Sequence, residues 1–209
     1  MIDMPSGPAD ADRTMVVLLA GRPGAGKSTF APLLAGRLGA VVLDSDTLFD
    51  ATRAQVGAAI GSSRAVVASD VWRTKVHPRL LQLLVAAAGA VACAGRPVVA
   101  VSPFTAMRHQ PTLFAEAADG CPSVRWRWVV LDASGGCCRR RIETRGWAMD
   151  APKLAGWDAY NADVEREPLP AGALVVDSSG PLESLGGLAA RVAQQLAGRR
   201  HPQPVTPTR

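Results

Sequence analysis

The sequence predicts an α/β protein, a three-layer α/β/α sandwich around a five-stranded parallel sheet. Three observations carry this expectation. Five short apolar runs alternate with stretches of helical periodicity, the pattern of strands buried on both faces and joined by crossover helices. A glycine-rich turn links the first run to the first helical stretch. The chain has 209 residues, of which 48% are hydrophobic and 20% charged, which suits one domain with a sizeable core and excludes whole-chain disorder.

The elements follow in order. Residues 1–13 are polar, contain Pro5 and Pro8, and read as a flexible N-terminal arm. TMVVLLA (Thr14–Ala20) is the first strand, and the helix after the glycine-rich turn runs to about Leu38. AVVL (Ala40–Leu43) is the second strand, with a helix from Thr47 to about Val56. A long helical stretch, Ser69–Ala94, is expected to break at Pro78, where an N–H is missing. PVVAVS (Pro97–Ser102) is the third strand, and Thr105–Ala118 is helical with a break at Pro111. VRWRWVVLD (Val124–Asp132) is the fourth strand; Arg125 and Arg127 alternate with Trp126 and Trp128, predicting one solvated and one packed face at its start. Ser134–Arg145 and Pro152–Arg166 are helical, ALVVDS (Ala173–Ser178) is the fifth strand, and Pro181–Ala197 is the closing helix. The tail from Arg199 holds three prolines and reads as disordered, which leaves a single domain over 14–198.

Composition narrows the function classes. No run of eighteen uninterrupted apolar residues occurs, so no membrane-crossing helix is expected, and the acidic N-terminus lacks the apolar core of a signal peptide. Cys93, Cys121, Cys137 and Cys138 form no C-x-x-C pair, which argues against zinc and for free thiols in a reducing cytoplasm. The formal charge is +5, a weak pointer to anionic ligands. Nucleic acid is not expected as a partner, because no long basic run is interleaved with aromatic residues. Of 23 basic residues only Lys27, Lys75 and Lys153 are lysine, and the arginine excess reads as codon bias.

Gly21-Arg22-Pro23-Gly24-Ala25-Gly26-Lys27-Ser28-Thr29 fits G-x-x-x-x-G-K-[ST], the Walker A loop, between a buried strand and a helix. Its glycines let backbone N–H groups turn inward around phosphate oxygens, and the helix N-terminus adds its positive end. Gly21, Pro23, Gly24, Ala25, Gly26, Lys27, Ser28 and Thr29 are therefore candidates for holding a nucleoside triphosphate. Lys27 would reach the terminal phosphates, and Ser28 would offer a hydroxyl to Mg²⁺. The loop does not separate GTPases, motor ATPases and small-molecule kinases.

Leu43-Asp44-Ser45-Asp46-Thr47 follows the second strand. Carboxyl ends of parallel strands face the ligand crevice, so Asp44 and Asp46 are expected beside the loop. One carboxylate can take the proton of an acceptor hydroxyl while the other orients Mg²⁺. Asp46 also reads as the N-cap of a helix starting at Thr47.

The loop followed by a strand ending D-x-D resembles the P-loop small-molecule kinases, a group that includes shikimate and gluconate kinases, chloramphenicol phosphotransferase and the zeta-toxin kinases. The resemblance spans roughly Thr14–Leu196. It implies a P-loop NTPase fold, nucleoside-monophosphate-kinase-like, with a helical lid at about 139–160. It implies ATP and Mg²⁺, with Ser28 and Asp44 on the metal and Asp46 as the base toward the acceptor. Many P-loop enzymes end the third strand on an acid; here Ser102 stands there. Ser102 either holds a metal-bound water or lines the acceptor pocket with Phe104. Arg141 and Arg145, four apart on one helix face, match lid arginines that stabilise the transferred charge. Arg139 or Arg141 matches an arginine that stacks on adenine, and the loop at Ser178 borders the base.

The acceptor pocket is expected between the second and third strands. Its candidates are Asp46, Arg53, Ser102, Phe104 and Trp147, with Asp50, Arg64, Lys75, His77 and Arg79 as further polar residues. His77, before Pro78, reads as a surface or kink histidine, and Trp157 reads as core. Asp150 and Lys153 fall near the lid with no role assigned. The expected activity is ATP- and Mg-dependent phosphoryl transfer to a hydroxyl of a small molecule, whether sugar, nucleoside or antibiotic. The alternatives are a nucleotide-binding regulatory ATPase module, a zeta-toxin-like nucleotide-sugar kinase, or a polynucleotide kinase.

Overall fold

The sheet is built around its most apolar strand. The computed structural model describes residues 13–59, 72–147 and 150–198, and β1 (Met15–Gly21) is buried at all seven positions. β1 lies between β3 (Val98–Val101) and β4 (Arg125–Asp132); β2 (Val41–Asp44) and β5 (Leu174–Asp177) close the edges, giving the order β2-β3-β1-β4-β5. All four pairings are parallel, with Leu18 opposite both Ala100 and Trp128. All five expected strands are present, each within a residue or two of its expected bounds.

The period of two in β1 divides the core. Met15, Val17 and Leu19 pack with Phe30 and Leu34 of α1 (Lys27–Leu38), Cys138 and Ile142 of α6 (Gly135–Arg145), Trp157 of α8 (Trp157–Glu165), and Leu185 and Val192 of α9 (Leu185–Gly198). Val16, Leu18 and Ala20 face the other layer. There they meet Phe49 of α2 (Ser45–Ala59), Leu81, Leu84 and Ala88 of α3 (His77–Cys93), and Met107 of α4 (Thr105–His109). Phe114 of α5 (Pro111–Ala118) packs edge-on to Trp126 and Trp128. The result is a five-stranded parallel sheet between two helical layers, the expected three-layer sandwich.

Several expectations are corrected. α2 begins at Ser45, not Thr47. The stretch expected from Ser69 is described from Trp72: a wide turn, Trp72–Val76, precedes α3, and Pro78 sits in the first turn of α3, where its missing N–H has no cost. The span Pro152–Arg166 divides at Gly156 into α7 (Ala151–Ala155) and α8. The start of β4 has no open face: Arg125 and Arg127 are half-buried like the tryptophans, and Arg125 Nη2 reaches Met15 Sδ at 3.6 Å. Thr74–Cys93 is long and apolar enough to cross a membrane by composition, although no uninterrupted apolar run suggested it. One face of it, Leu81, Leu84, Val85, Ala88 and Ala92, is buried in the core. Residues 1–12 of the N-terminal arm, Arg64 and the C-terminal tail lie outside the described residues.

Candidate active site

The crevice forms where the strand order reverses around β1. It is a cleft of about 480 Å³, walled by the loop between β1 and α1, the ends of β2 and β3, and the α6–α7 segment.

The loop is set by backbone. Gly26, immediately before α1, has φ 94°, and Gly24 has φ 81°; both values favour glycine. A Cβ on Gly24 would also stand 2.6 Å from the Cys138 carbonyl of α6. Ala25 N–H donates to the Arg22 carbonyl, and Thr29 N–H to that of Gly26. Among the described residues, no protein acceptor takes the N–H groups of Gly24, Gly26, Lys27 and Ser28. Four unused donors at a helix N-terminus make an anion cradle. Lys27 Nζ donates to the carbonyls of Gly21 (2.7 Å) and Arg22 (3.1 Å). Burial lowers the Lys27 pKa to about 8, opposed by the charges of Asp46 and Asp44 and reinforced by that of Arg145. Pro23, Ser28 and Thr29 line the cleft, while Ala25 is buried behind it.

Asp44 ends β2, and its Oδ1 accepts the Asp46 N–H at 2.8 Å. Asp44 is therefore the N-cap of α2, and Asp46, in the first helical turn, is not. That leaves the Asp46 side chain at the cleft wall. Burial raises the Asp44 pKa, with the Asp46 N–H opposing. Ser28, Asp44 and Asp46, each with an oxygen-bearing side chain, all line the cleft. Among the described residues, no group of three or more His, Cys, Asp or Glu is placed to hold a metal ion. Hard oxygens too few to hold a metal alone fit a magnesium ion that arrives on phosphate oxygens.

Ser102 is buried, lines the cleft, and shares a hydrogen bond of 3.2 Å with Ser45. Phe104 does not line the cleft. Its φ of 52° turns it into the core, fully buried and edge-on to Trp128 at 5.4 Å. Arg53 belongs to α2, but its side chain lies outside the described residues. His77 lines the cleft together with Trp72, against its reading as a kink histidine.

The arginines separate by helix face. Arg139 points away, paired with Glu143 at 2.9 Å on the surface, and does not line the cleft. Arg141 lines it, with its guanidinium donating to the carbonyls of Gly24 (3.1 Å), Ser178 (2.9 Å) and Gly180 (2.6 Å). These bonds tie Arg141 to both the phosphate loop and the β5 loop while it lines the cleft. The Ser178 hydroxyl is buried and donates to the Ala25 carbonyl at 2.9 Å, so it braces the loop instead of facing a ligand. Arg145 lines the cleft, its guanidinium 4.5 Å from the exposed ring of Trp147, which also lines the cleft. Asp150 is fully buried there, bonded to both Arg145 and Lys153. Its spacing of three from Lys153, within one helical turn, was the available signal. Trp157 is core, as expected.

The family model described as "AAA domain" matches residues 16–166. No curated protein matches the sequence. Among solved structures, a sugar kinase from Janibacter sp. HTCC2649 superposes with a TM-score of 0.61 at 20% identity, over 88% of this chain and 96% of that one. The APS kinase of Mycobacterium tuberculosis, in complex with AMPPNP and APS, gives 0.60 at 19%, over 88% and 95%. The tunicamycin resistance protein of Deinococcus radiodurans gives 0.60 at 17%, over 91% and 100%. These likenesses show the shared fold.

Proposed function

Since the chain belongs to the AAA domain family, we propose that it is a phosphotransferase moving the γ-phosphoryl group of ATP to a hydroxyl of a small molecule. One observation carries this reading: the carboxylates of Asp46 and Asp44 share a cleft with the phosphate-loop lysine, close enough for their charges to raise its pKa. A hydrolytic switch needs a water; a hydroxyl acceptor needs a nearby base, and Asp46 is one.

The unused loop N–H groups and Lys27 bind the phosphates of the donor. Magnesium, when bound, supplies positive charge at the phosphate oxygens, and Ser28 and Asp44 are the residues that would hold it. Asp46 accepts the proton of the acceptor hydroxyl as its oxygen bonds to phosphorus. The bond to the bridging oxygen breaks, and ADP leaves with the electron pair. Arg145 faces the charge that spreads over the transferring oxygens. Trp72, His77, Ser102 and Trp147 are the walls an acceptor would touch. They suit a ring-bearing compound, so sugars, nucleosides and antibiotics form the acceptor set.

The test is an acceptor screen with ATP, reading phosphorylated products by mass spectrometry. A product whose formation is lost in Asp46→Asn supports the reading. ATP turnover indifferent to every hydroxyl compound would instead favour a regulatory ATPase, and salt-sensitive labelling of oligonucleotides a polynucleotide kinase.

A further inference from the structure

The side-chain cluster at the α6–α7 junction is built around one carboxylate. Asp150, with no exposed surface, accepts from Arg145 Nε (2.7 Å) and Nη2 (2.5 Å) through Oδ2 and from Lys153 Nζ (2.7 Å) through Oδ1. Its own N–H is tied to the Trp147 carbonyl at 2.9 Å. The Trp147 ring covers one face of the Arg145 guanidinium. One negative charge thus fixes two positive ones, and a net positive charge is left over. All four residues line the cleft. Among the described residues, Arg145 Nη1 and two of the three Lys153 hydrogens have no protein acceptor. The charge of Arg145 reaches Lys27 across the cleft. A buried carboxylate must be paired, and here its two partners are held with their spare donors on the cavity side, their rotamer freedom already given up.

We propose that Asp150 is a positioning residue that holds Arg145 and Lys153 at the cleft wall so that their unused N–H groups meet the oxygens of the transferring phosphoryl group. The inference rests on the phosphotransferase reading. Its chemistry is preorganisation: donors already aimed where charge develops need no rearrangement during transfer. The device predicts a greater effect on the planar, transferring phosphoryl than on the bound product nucleotide.

The probe is fluorescent mant-ADP with magnesium, titrated with and without aluminium fluoride, which mimics the planar phosphoryl. In the native protein the fluoride tightens binding. Asp150→Asn loses about tenfold or more of that gain while mant-ADP alone binds within about twofold of native. Asp150→Glu recovers part of the gain, and Asp150→Asn adds little to the loss already caused by Arg145→Ala. A full gain in Asp150→Asn overturns the proposal, as does a loss of mant-ADP affinity equal to the loss of the gain. If Asp150→Asn does not fold, Arg145→Ala and Lys153→Met carry the test, and an undiminished gain in both overturns it. A native protein that binds mant-ADP without any fluoride gain overturns this inference alone, leaving the acceptor screen to judge the parent reading. No binding of mant-ADP at all overturns both.

Discussion

Raising the pH above 8 should weaken nucleotide binding, and the cause is one ammonium group. Lys27 is held on the carbonyls of Gly21 and Arg22, and burial lowers its pKa from 10.5 to about 8. A bound triphosphate raises that pKa again, because opposite charge favours the ammonium. The sign follows by linkage: the complex holds a proton that the free protein loses above pH 8, so binding must take one up there, and affinity falls as pH rises. Below pH 7 the free protein already carries the proton, and the effect vanishes. With a midpoint of about 8, the apparent Kd scales as one plus ten to the power (pH − 8). It worsens roughly tenfold between pH 7 and pH 9, or about 1.4 kcal/mol. An unperturbed lysine would change it by a few per cent over the same range. The assay is mant-ATP titration from pH 6.5 to 9.5 at fixed ionic strength, with calorimetry in two buffers of different ionisation enthalpy. About 0.9 proton should be taken up per nucleotide at pH 9. Lys27→Met should bind weakly and lack this slope. A native affinity flat to pH 9.5 would refute the reasoning, since the ammonium would then be unperturbed or uninvolved.

Other expectations follow from the same geometry. Asp46→Asn should lower acceptor phosphorylation by about 10²- to 10⁴-fold with nucleotide affinity at pH 7 nearly kept. It should also shift the Lys27 pH midpoint downward, because a charge that raises that pKa is gone. Gly24→Ala combines a left-handed φ with a Cβ only 2.6 Å from a helix carbonyl. It should cost about 2–4 kcal/mol, seen as a Tm lowered by roughly 5–15 °C without nucleotide. Arg139→Ala should leave nucleotide affinity unchanged and stability within about 0.5 kcal/mol. Arg141→Met should loosen nucleotide binding measurably in the same titration, because it releases three carbonyls at the loop and β5.

What the sequence made legible was local. The five strands are apolar runs, and a buried run needs no knowledge of its neighbours. The phosphate loop is contiguous, so its residues and their cradle were readable together. Asp44 and Asp46 were readable as cleft residues because strand ends face the crevice. Which of them caps α2 was not, since the helix starts two residues earlier than its pattern suggests and Asp44 is the cap. The choice between Arg139 and Arg141 depends on helix rotation: at 3.6 residues per turn, two positions are about 200° apart. Only the packing of α6 against Gly24 decides which of them faces the loop. Phe104 was misplaced by one backbone angle after Pro103. Asp150 gave a short-range signal in Lys153, but its burial is a tertiary fact.

The contact between Gly24 and Cys138 has a mechanical consequence. It joins backbone to backbone, so no side chain between them can rearrange to absorb displacement. The three bonds of Arg141 tie the β5 loop to the same unit. The phosphate loop, α6 and the β5 loop are therefore joined into one connected unit. Beyond that unit α6 ends at Gly146, which turns the chain with φ 64°. A side chain at that position would meet open space but a strained backbone, so the left-handed turn out of α6 is reserved for glycine by conformation and not by crowding.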